Sequence, residues 1–442
     1  MKPIRIGLLG LGTVGAGVVK VCASHREELE EKIGAPVELA AIVDKDTSTP
    51  REGIDLAALP LASDPERILG DSSIDVVVEL IGGLEPARTF VLRALAAGKH
   101  VVTANKALLA THGEELYAEA RKHGRMLAFE AAVAGGIPII RAVKDGLTAN
   151  RVMSLQGIVN GTANYILSKM TDEGLEFKSV LKEAQEKGYA EADPTYDIEG
   201  IDSAHKLQVL ATLAFRTSVK LEDIYVEGIT QIAPLDIALA REMGYRIKLL
   251  AVAKSAGGTL ELRVHPTMIP ETSPMSAVSG VFNAVFVSGD VVGDLMFYGR
   301  GAGQFPTASS VWADIVEIAR RHSAGQSATA QDLPVLGHKP PTLKPMTDVR
   351  SSYYLRVSAL DQPAVLAQIA GILGRHEISI ASVIQKTHQR IDRTNRADRA
   401  GAVPVVMMTH EAQEGNVRTA LAEIDALQVI AAPTYMIRVE EA

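Results

Sequence analysis

The chain has 442 residues, more than one ordinary domain, so two or three are expected. Its net charge of −8 offers no basis for nucleic-acid binding, and a lone cysteine, Cys22, excludes an intramolecular disulfide and a cysteine-built metal site. Apolar residues make up 47% and aromatic residues 4%, the profile of an aliphatic-rich α/β protein, yet no run reaches the ~18 continuous apolar residues of a membrane span.

The start, MKPIRIGLLGLGTVG, is basic and then briefly apolar, but glycines break the apolar run. It reads as a strand and turn rather than a signal peptide. A cytoplasmic protein without membrane attachment is expected. From Ile4 to Val133 short β-branched runs alternate with helical stretches. The runs are Ile4–Leu9, Glu38–Val43, Val76–Leu80, His100–Thr103 and Arg125–Phe129; the helical patterns include Ala16–Lys32, Ala87–Ala97 and Gly113–His123. Alternation of this kind implies βαβ units and a doubly wound parallel sheet. The expected dinucleotide-binding domain spans 1–134.

Helical patterns at Gly161–Asp172, Phe177–Lys187, Ser203–Phe215 and Pro234–Met243 then mix with strand-like runs at Arg151–Val159, Tyr245–Lys254 and Glu261–Ile269. Ala284–Ser288 and Asp294–Tyr298 follow, and a helix near 305–322 is expected to pack back on the first domain. This makes 135–325 an α+β unit for substrate binding and dimerisation. Residues 326–350, rich in Pro, Gly and Lys, read as a linker. The remainder, 351–442, runs strand, helix, strand, strand, helix, strand, the ferredoxin-like βαββαβ order.

Gly10-Leu11-Gly12-Thr13-Val14-Gly15 follows the first strand and opens a helix, the context in which GxGxxG binds a dinucleotide. Gly10 permits the turn, Gly12 lets the pyrophosphate approach the backbone, and Gly15 allows helix and strand to pack closely. The helix N-terminus presents N–H groups and a positive dipole end to the phosphates. Asp44, closing the second strand, is placed to bind the adenosine ribose and favours NAD over NADP; Lys45 beside it weakens that preference, so NAD or NADP stays open.

Four later segments, with the glycine motif, resemble homoserine dehydrogenases over residues ~4 to ~325. They are Thr103-Ala104-Asn105-Lys106; Glu130 through Pro138; Gly157 through Leu167, including Asn160-Gly161-Thr162; and Gly188 through Pro194 with Asp197, Gly200, Asp202 and Lys206. Gly299-Arg300-Gly301-Ala302-Gly303 extends the match. The resemblance implies reversible NAD(P)H-dependent reduction of L-aspartate 4-semialdehyde to L-homoserine, feeding threonine, methionine and isoleucine synthesis. Such chemistry needs a cation or acid at the developing oxyanion. Lys206 and Lys106 are the two candidates, and the resemblance favours Lys206 as the donor with Lys106 close by. Two neighbouring ammonium groups would each depress the other's pKa.

By the same resemblance Glu191 and Asp202, with Asp197, bind the substrate, the amino group being their natural partner; Asp202 could instead cap the Ser203 helix. Thr103, Lys106, Gly188 and Gly303 join Gly10, Gly12, Thr13, Val14, Gly15 and Asp44 around the cofactor. Glu130, Val133, Gly135 and Ile137 match a site for a monovalent cation, usually sodium, with a structural role. No cluster suits zinc or another transition metal.

Tyr354 through Leu366 resembles the start of an ACT domain, a small ligand-binding module often paired. Threonine is the natural effector for such a module here; a dimerisation module without effector is the alternative. Ala364 stands where glycine is common, and its methyl would obstruct close ligand approach. A homodimer or homotetramer is expected, and a monofunctional chain, since the nucleotide strand begins at Ile4. The runner-up readings are another Rossmann dehydrogenase acting on an amino-acid-derived carbonyl, and a regulatory protein that binds dinucleotide without turnover.

Overall fold

A computed structural model describes residues 2–326, 342–385 and 402–440. The charged stretch Lys386–Ala400 and most of the 326–350 linker lie outside the described residues. In the first sheet, strands β1 (Ile4–Leu9), β2 (Val37–Val43), β3 (Leu61–Ala62), β4 (Val76–Glu79), β5 (His100–Thr103) and β6 (Leu127–Ala128) stand in the order β3-β2-β1-β4-β5-β6. Every pairing in it is parallel. This is the Rossmann order, with its switch point between β1 and β4, and it confirms the doubly wound sheet expected from the alternation. Ile6, Leu8, Val76, Val78 and Val102 are fully buried, as strands covered by helices on both faces must be.

Local chemistry moves some boundaries. The first helical stretch is two helices, Thr13–Ser24 and Arg26–Ile33, because His25 leaves helical geometry (φ −126°, ψ 28°). The third helix begins at Lys106 rather than Gly113, since the Asn105 side chain accepts from the Leu108 N–H and caps it. The 20-residue helix Gln304–Ser323 lies against the Thr13–Ser24 helix. Trp312 donates its indole N–H to the Val18 carbonyl at 3.0 Å, and Val311, Ile315 and Ile318 join the core that contains Ile6, Leu8 and Val18.

The second sheet uses β7 (Val152–Ile158), β8 (Tyr225–Val226), β9 (Tyr245–Ala256), β10 (Thr259–Pro270), β11 (Phe282–Gly289), β12 (Gly293–Arg300), β13 (Thr342–Leu343), β14 (Arg350–Leu360), β15 (Ile380–Gln385), β16 (Ala402–Thr409), β17 (Ala412–Gln413) and β18 (Ile430–Val439). Its order is β12-β11-β7-β9-β10-β18-β14-β16-β15. The last four strands, with helices Val365–Arg375 and Glu414–Asp425 packed on one core, are the βαββαβ module. That module does not form a separate sheet. β18 pairs in parallel with β10 at Thr267–Arg438 and Met268–Val439, making the two sheets continuous.

The junction is ionic and buried. Arg438, 1% exposed, reaches Glu414 at 2.5 Å and Glu227 at 2.9 Å. Arg263 pairs with Glu261 and Glu440, and Arg356 meets Asp236 at 2.6 Å. Each buried charge has an opposite partner, the condition under which burial is tolerated.

Candidate active site

The glycine loop shows three different spatial demands. Gly10 has φ +100°, and a Cβ there would lie 2.7 Å from the Leu80 carbonyl oxygen. A Cβ on Gly15 would lie 2.1 Å from the Gly10 oxygen. A Cβ on Gly12 would meet nothing within 4 Å, which leaves open space in front of the helix N-terminus. No side chain caps that helix, and Thr13 at its start is exposed. An uncapped, open helix N-terminus at the switch point fits a dinucleotide pyrophosphate.

Asp44 closes β2 against this loop. Its Oδ2 accepts the Leu11 N–H at 2.6 Å and its Oδ1 accepts the Asp46 N–H at 2.9 Å. Arg51, which no motif marks, lies 3.9 Å from Asp44 and donates to the Leu11 carbonyl at 3.2 Å. Lys45 is exposed beside them. Thr103 is fully buried, its hydroxyl donating to Glu79 at 2.6 Å and accepting the Asn105 N–H at 3.0 Å. Glu79 also receives the Ile81 N–H at 2.9 Å, so this buried carboxylate braces the carboxyl ends of β4 and β5.

Asp202 is the centre of the second half of the site. Helix Ile201–Phe215 begins after Gly200, whose φ of +81° makes it the N-cap, so Asp202 lies within the first turn and does not serve as the cap. Lys206 follows one turn later on the same face. Its Nζ donates to Asp202 Oδ2 at 2.6 Å and to the Val159 carbonyl at 2.5 Å. Lys106 Nζ, arriving from the first domain, lies 3.0 Å from Asp202 Oδ1. One carboxylate thus bridges the two ammonium groups and the two domains.

This bridge corrects the expectation that both lysines are depressed. Burial pushes Lys206 below the usual lysine range; Asp202 opposes that fall and Lys106 adds to it. Lys106 also loses by burial, but Asp202, followed by Asp197 and Glu191, outweighs the loss and raises it. Burial works to raise the Asp202 carboxyl, yet the two ammonium groups hold it well below the carboxylate range.

Asn160, two residues beyond β7, belongs to the same cluster. Its Nδ2 donates to Asp197 Oδ1 at 2.7 Å and to Asp202 Oδ2 at 2.8 Å, while its Oδ1 caps the Gly161–Glu173 helix through the Ala163 N–H at 2.7 Å. An Asn before a helical run is itself a capping signal; the carboxylate contacts are tertiary. Glu191 is exposed, and Gly188 has φ +71° with open space at its Cβ position. Gly303 has φ +124° and is the N-cap of the Gln304–Ser323 helix.

Glu130 is buried away from this centre. Its carboxylate accepts the Ile140 and Arg141 N–H groups at 2.8 and 2.9 Å, and its own N–H donates to Asp314 at 2.8 Å. The Gly135 carbonyl accepts the Ser310 hydroxyl at 2.7 Å and the Ile137 carbonyl the Ile139 N–H at 2.7 Å. Each of these oxygens keeps a second lone pair. Among the described residues no group of three or more His, Cys, Asp or Glu side chains is arranged to hold a metal ion, and no helix is long and apolar enough to cross a membrane.

An open dinucleotide cradle on one domain, tied through a lysine–aspartate–lysine bridge to the next, defines a nucleotide-linked oxidoreductase. Comparison with known proteins agrees. Residues 138–316 match the family model for homoserine dehydrogenase, residues 10–130 that for the homoserine dehydrogenase NAD-binding domain, and residues 353–427 that for the ACT domain. Homoserine dehydrogenases of Neisseria gonorrhoeae and Pseudomonas aeruginosa are each 46% identical to this chain, aligned over 100% of it and over 99% and 100% of their own lengths. The crystal structure of a homoserine dehydrogenase from Thiobacillus denitrificans superposes with a TM-score of 0.91 at 47% identity, covering 100% of this chain and 99% of that one. The chain belongs to the homoserine dehydrogenase family, as the resemblance in its motifs implied, with an NAD(P)-binding domain and a C-terminal ACT domain.

Proposed function

We propose that Lys206 is the proton donor in the reduction of L-aspartate 4-semialdehyde to L-homoserine. The observation that carries this is the count of its N–H groups. Val159 and Asp202 take two of the three, leaving one for the aldehyde oxygen. When bound, the reduced dinucleotide supplies the hydride. As negative charge grows on the oxygen, the Lys206 N–H donates to it and then passes its proton across. Burial lowers the Lys206 pKa toward the working range, and Asp202 keeps the group protonated until it is needed. Lys106 adds positive charge beside the same centre and ties the cofactor domain to the substrate domain. Glu191, Asp197 and Asp202 form the negative wall that receives the substrate's ammonium group.

The cofactor is held by Gly10, Gly12, Thr13, Val14 and Gly15 at the pyrophosphate and by Asp44 at the ribose. Thr103, Lys106, Gly188 and Gly303 frame its nicotinamide end. Asp44 supports NAD, while Arg51 and Lys45 offer the positive charge a 2′-phosphate needs, so both cofactors are used. A hyperthermophilic archaeal homoserine dehydrogenase, 25% identical with a TM-score of 0.61, is described in complex with NADPH. Glu130 with the main-chain oxygens of Val133, Gly135 and Ile137 holds a sodium ion where the first two domains join. The enzyme acts in the cytoplasm, in threonine, methionine and isoleucine synthesis, as a homodimer or homotetramer with threonine as the ACT-domain effector.

Steady-state kinetics with the semialdehyde and each reduced cofactor tests the reading. Lys206→Met should lower kcat by roughly 10²–10⁴-fold with cofactor affinity nearly unchanged. Near-normal turnover in that variant would refute the donor role.

A further inference from the structure

Asn160 makes three hydrogen bonds that fix its amide without ambiguity. Its oxygen takes the Ala163 N–H, and its two amide hydrogens go one each to Asp197 and Asp202. The flipped amide would set its oxygen against two carboxylates and its NH₂ against an N–H, so only this orientation is stable. The side chain is 5% exposed and cannot swing away into solvent. The preceding residue, Val159, gives its carbonyl to Lys206. One corner of backbone between β7 and the following helix therefore touches Lys206, Asp202 and Asp197.

We propose that Asn160 is a positioning residue for the reaction: its neutral amide pins the Asp197 and Asp202 carboxylates side by side and so sets the acidic wall in register with the Lys206 ammonium. Neutrality is what the position demands. A cation here would cancel the negative charge that attracts the substrate's amino group. A carboxylate would drive Asp197 and Asp202 apart and hold the Lys206 proton more tightly. An amide contributes two hydrogen bonds to charged acceptors and no net charge. The same atom set also explains how Asp202 stays aimed. Its Oδ2 is shared between Lys206 and Asn160, leaving Oδ1 to Lys106.

This inference rests on the reading that the acidic cluster binds the substrate. Two variants test it, both keeping an oxygen to cap the helix. Asn160→Ser removes both amide N–H donors, leaving one shorter hydroxyl, without adding charge, and Asn160→Asp replaces them with a third carboxylate. In the full-length enzyme, Asn160→Ser should raise KM for aspartate semialdehyde about tenfold, the worth of one hydrogen bond to a charged group, with the Kd for the reduced cofactor within about twofold of the parent. Asn160→Asp should in addition move the alkaline limb of kcat/KM to higher pH, because the added charge raises the pKa of the lysine that must be protonated. An unchanged semialdehyde KM in Asn160→Ser overturns the proposal, as does a loss that follows cofactor Kd or thermal midpoint instead. If Asn160→Asp does not fold, Asn160→Ser decides alone. Asp197→Asn separates the two levels: a normal KM there refutes the acidic-wall reading, whereas a raised KM there with a normal Asn160→Ser refutes only the role of Asn160.

Discussion

Alanine placed at Gly12 and at Gly15, one at a time, should damage the protein in opposite ways. At Gly12 the backbone has φ −72°, which any residue adopts, and the new methyl would project into open space. The fold should accept it, with a thermal midpoint within a few degrees of the parent, since the poorer N-cap that alanine makes costs only about 1 kcal/mol. The methyl would instead stand where the pyrophosphate must approach the N–H groups of the helix start. Losing two charge-assisted hydrogen bonds at about 1.5 kcal/mol or more each amounts to about 3 kcal/mol, roughly a 100-fold rise in cofactor Kd. At Gly15 the order reverses. The added Cβ would sit 2.1 Å from the Gly10 oxygen and 3.0 Å from its carbonyl carbon, both backbone atoms that cannot rotate away. The first distance falls short of ordinary contact by more than an ångström, so helix and turn must separate, at about 1–3 kcal/mol or more. At about 2–4 °C per kcal/mol for a unit of domain size, that predicts a fall of roughly 2–12 °C in the thermal midpoint of the unliganded protein. Calorimetric melts without ligand and fluorescence titration with NADH and NADPH give both quantities. Unaltered cofactor affinity in Gly12→Ala, or an unaltered melt in Gly15→Ala, would refute the assignment of approach to one glycine and packing to the other.

Two further substitutions probe strain and buried charge. Ala364 holds φ +66° at the N-cap of the Val365–Arg375 helix, a left-handed conformation costing about 1 kcal/mol for alanine; Ala364→Gly, net of the greater freedom it gives the unfolded chain, should stabilise the ACT module by roughly 0.5 kcal/mol in denaturant melts, and a destabilised variant would contradict this. Lys248 is 4% exposed, donates to the Val278 carbonyl at 2.5 Å and is pushed down to about 8 by burial. Its folded pKa lies below its unfolded one, so the unfolded chain binds more protons between them and stability should rise with pH from about 8 to about 10.5. Lys248→Met should remove that rise, gaining on the parent most near neutrality; parallel pH dependences for the two proteins would count against it.

Local chemistry and the order of the parts are legible in the chain alone. Gly10, Gly12 and Gly15 announced a dinucleotide turn because the spacing of glycines after a strand is a backbone requirement, legible residue by residue. The alternation of β-branched runs and helices specified a parallel sheet, since strands buried on both faces are continuously apolar. The βαββαβ order of the last segment was legible from the succession of its short apolar runs and helical patterns. Lys106 and Lys206 were legible as a pair through motif resemblance, and the i, i+4 spacing of Asp202 and Lys206 already put both on one helix face.

What distant residues do to one another follows only from the packed fold. That Asp202 stands between Lys206 and Lys106, so that one lysine falls in pKa and the other rises, depends on two helices from different domains meeting. No spacing in the chain encodes that meeting. Asn160 lies in a motif that gives no sign of its carboxylate partners; the fold brings Asp197 and Asp202 to its amide from 37 and 42 residues away. Arg51 reached Asp44 through a loop with no periodicity to interpret. The joining of β18 to β10, with Arg438 buried between Glu414 and Glu227, turned an apparent appendage into a continuation of the second sheet. Periodicity records which face of an element is covered; which element covers it is decided by the packing of the whole chain.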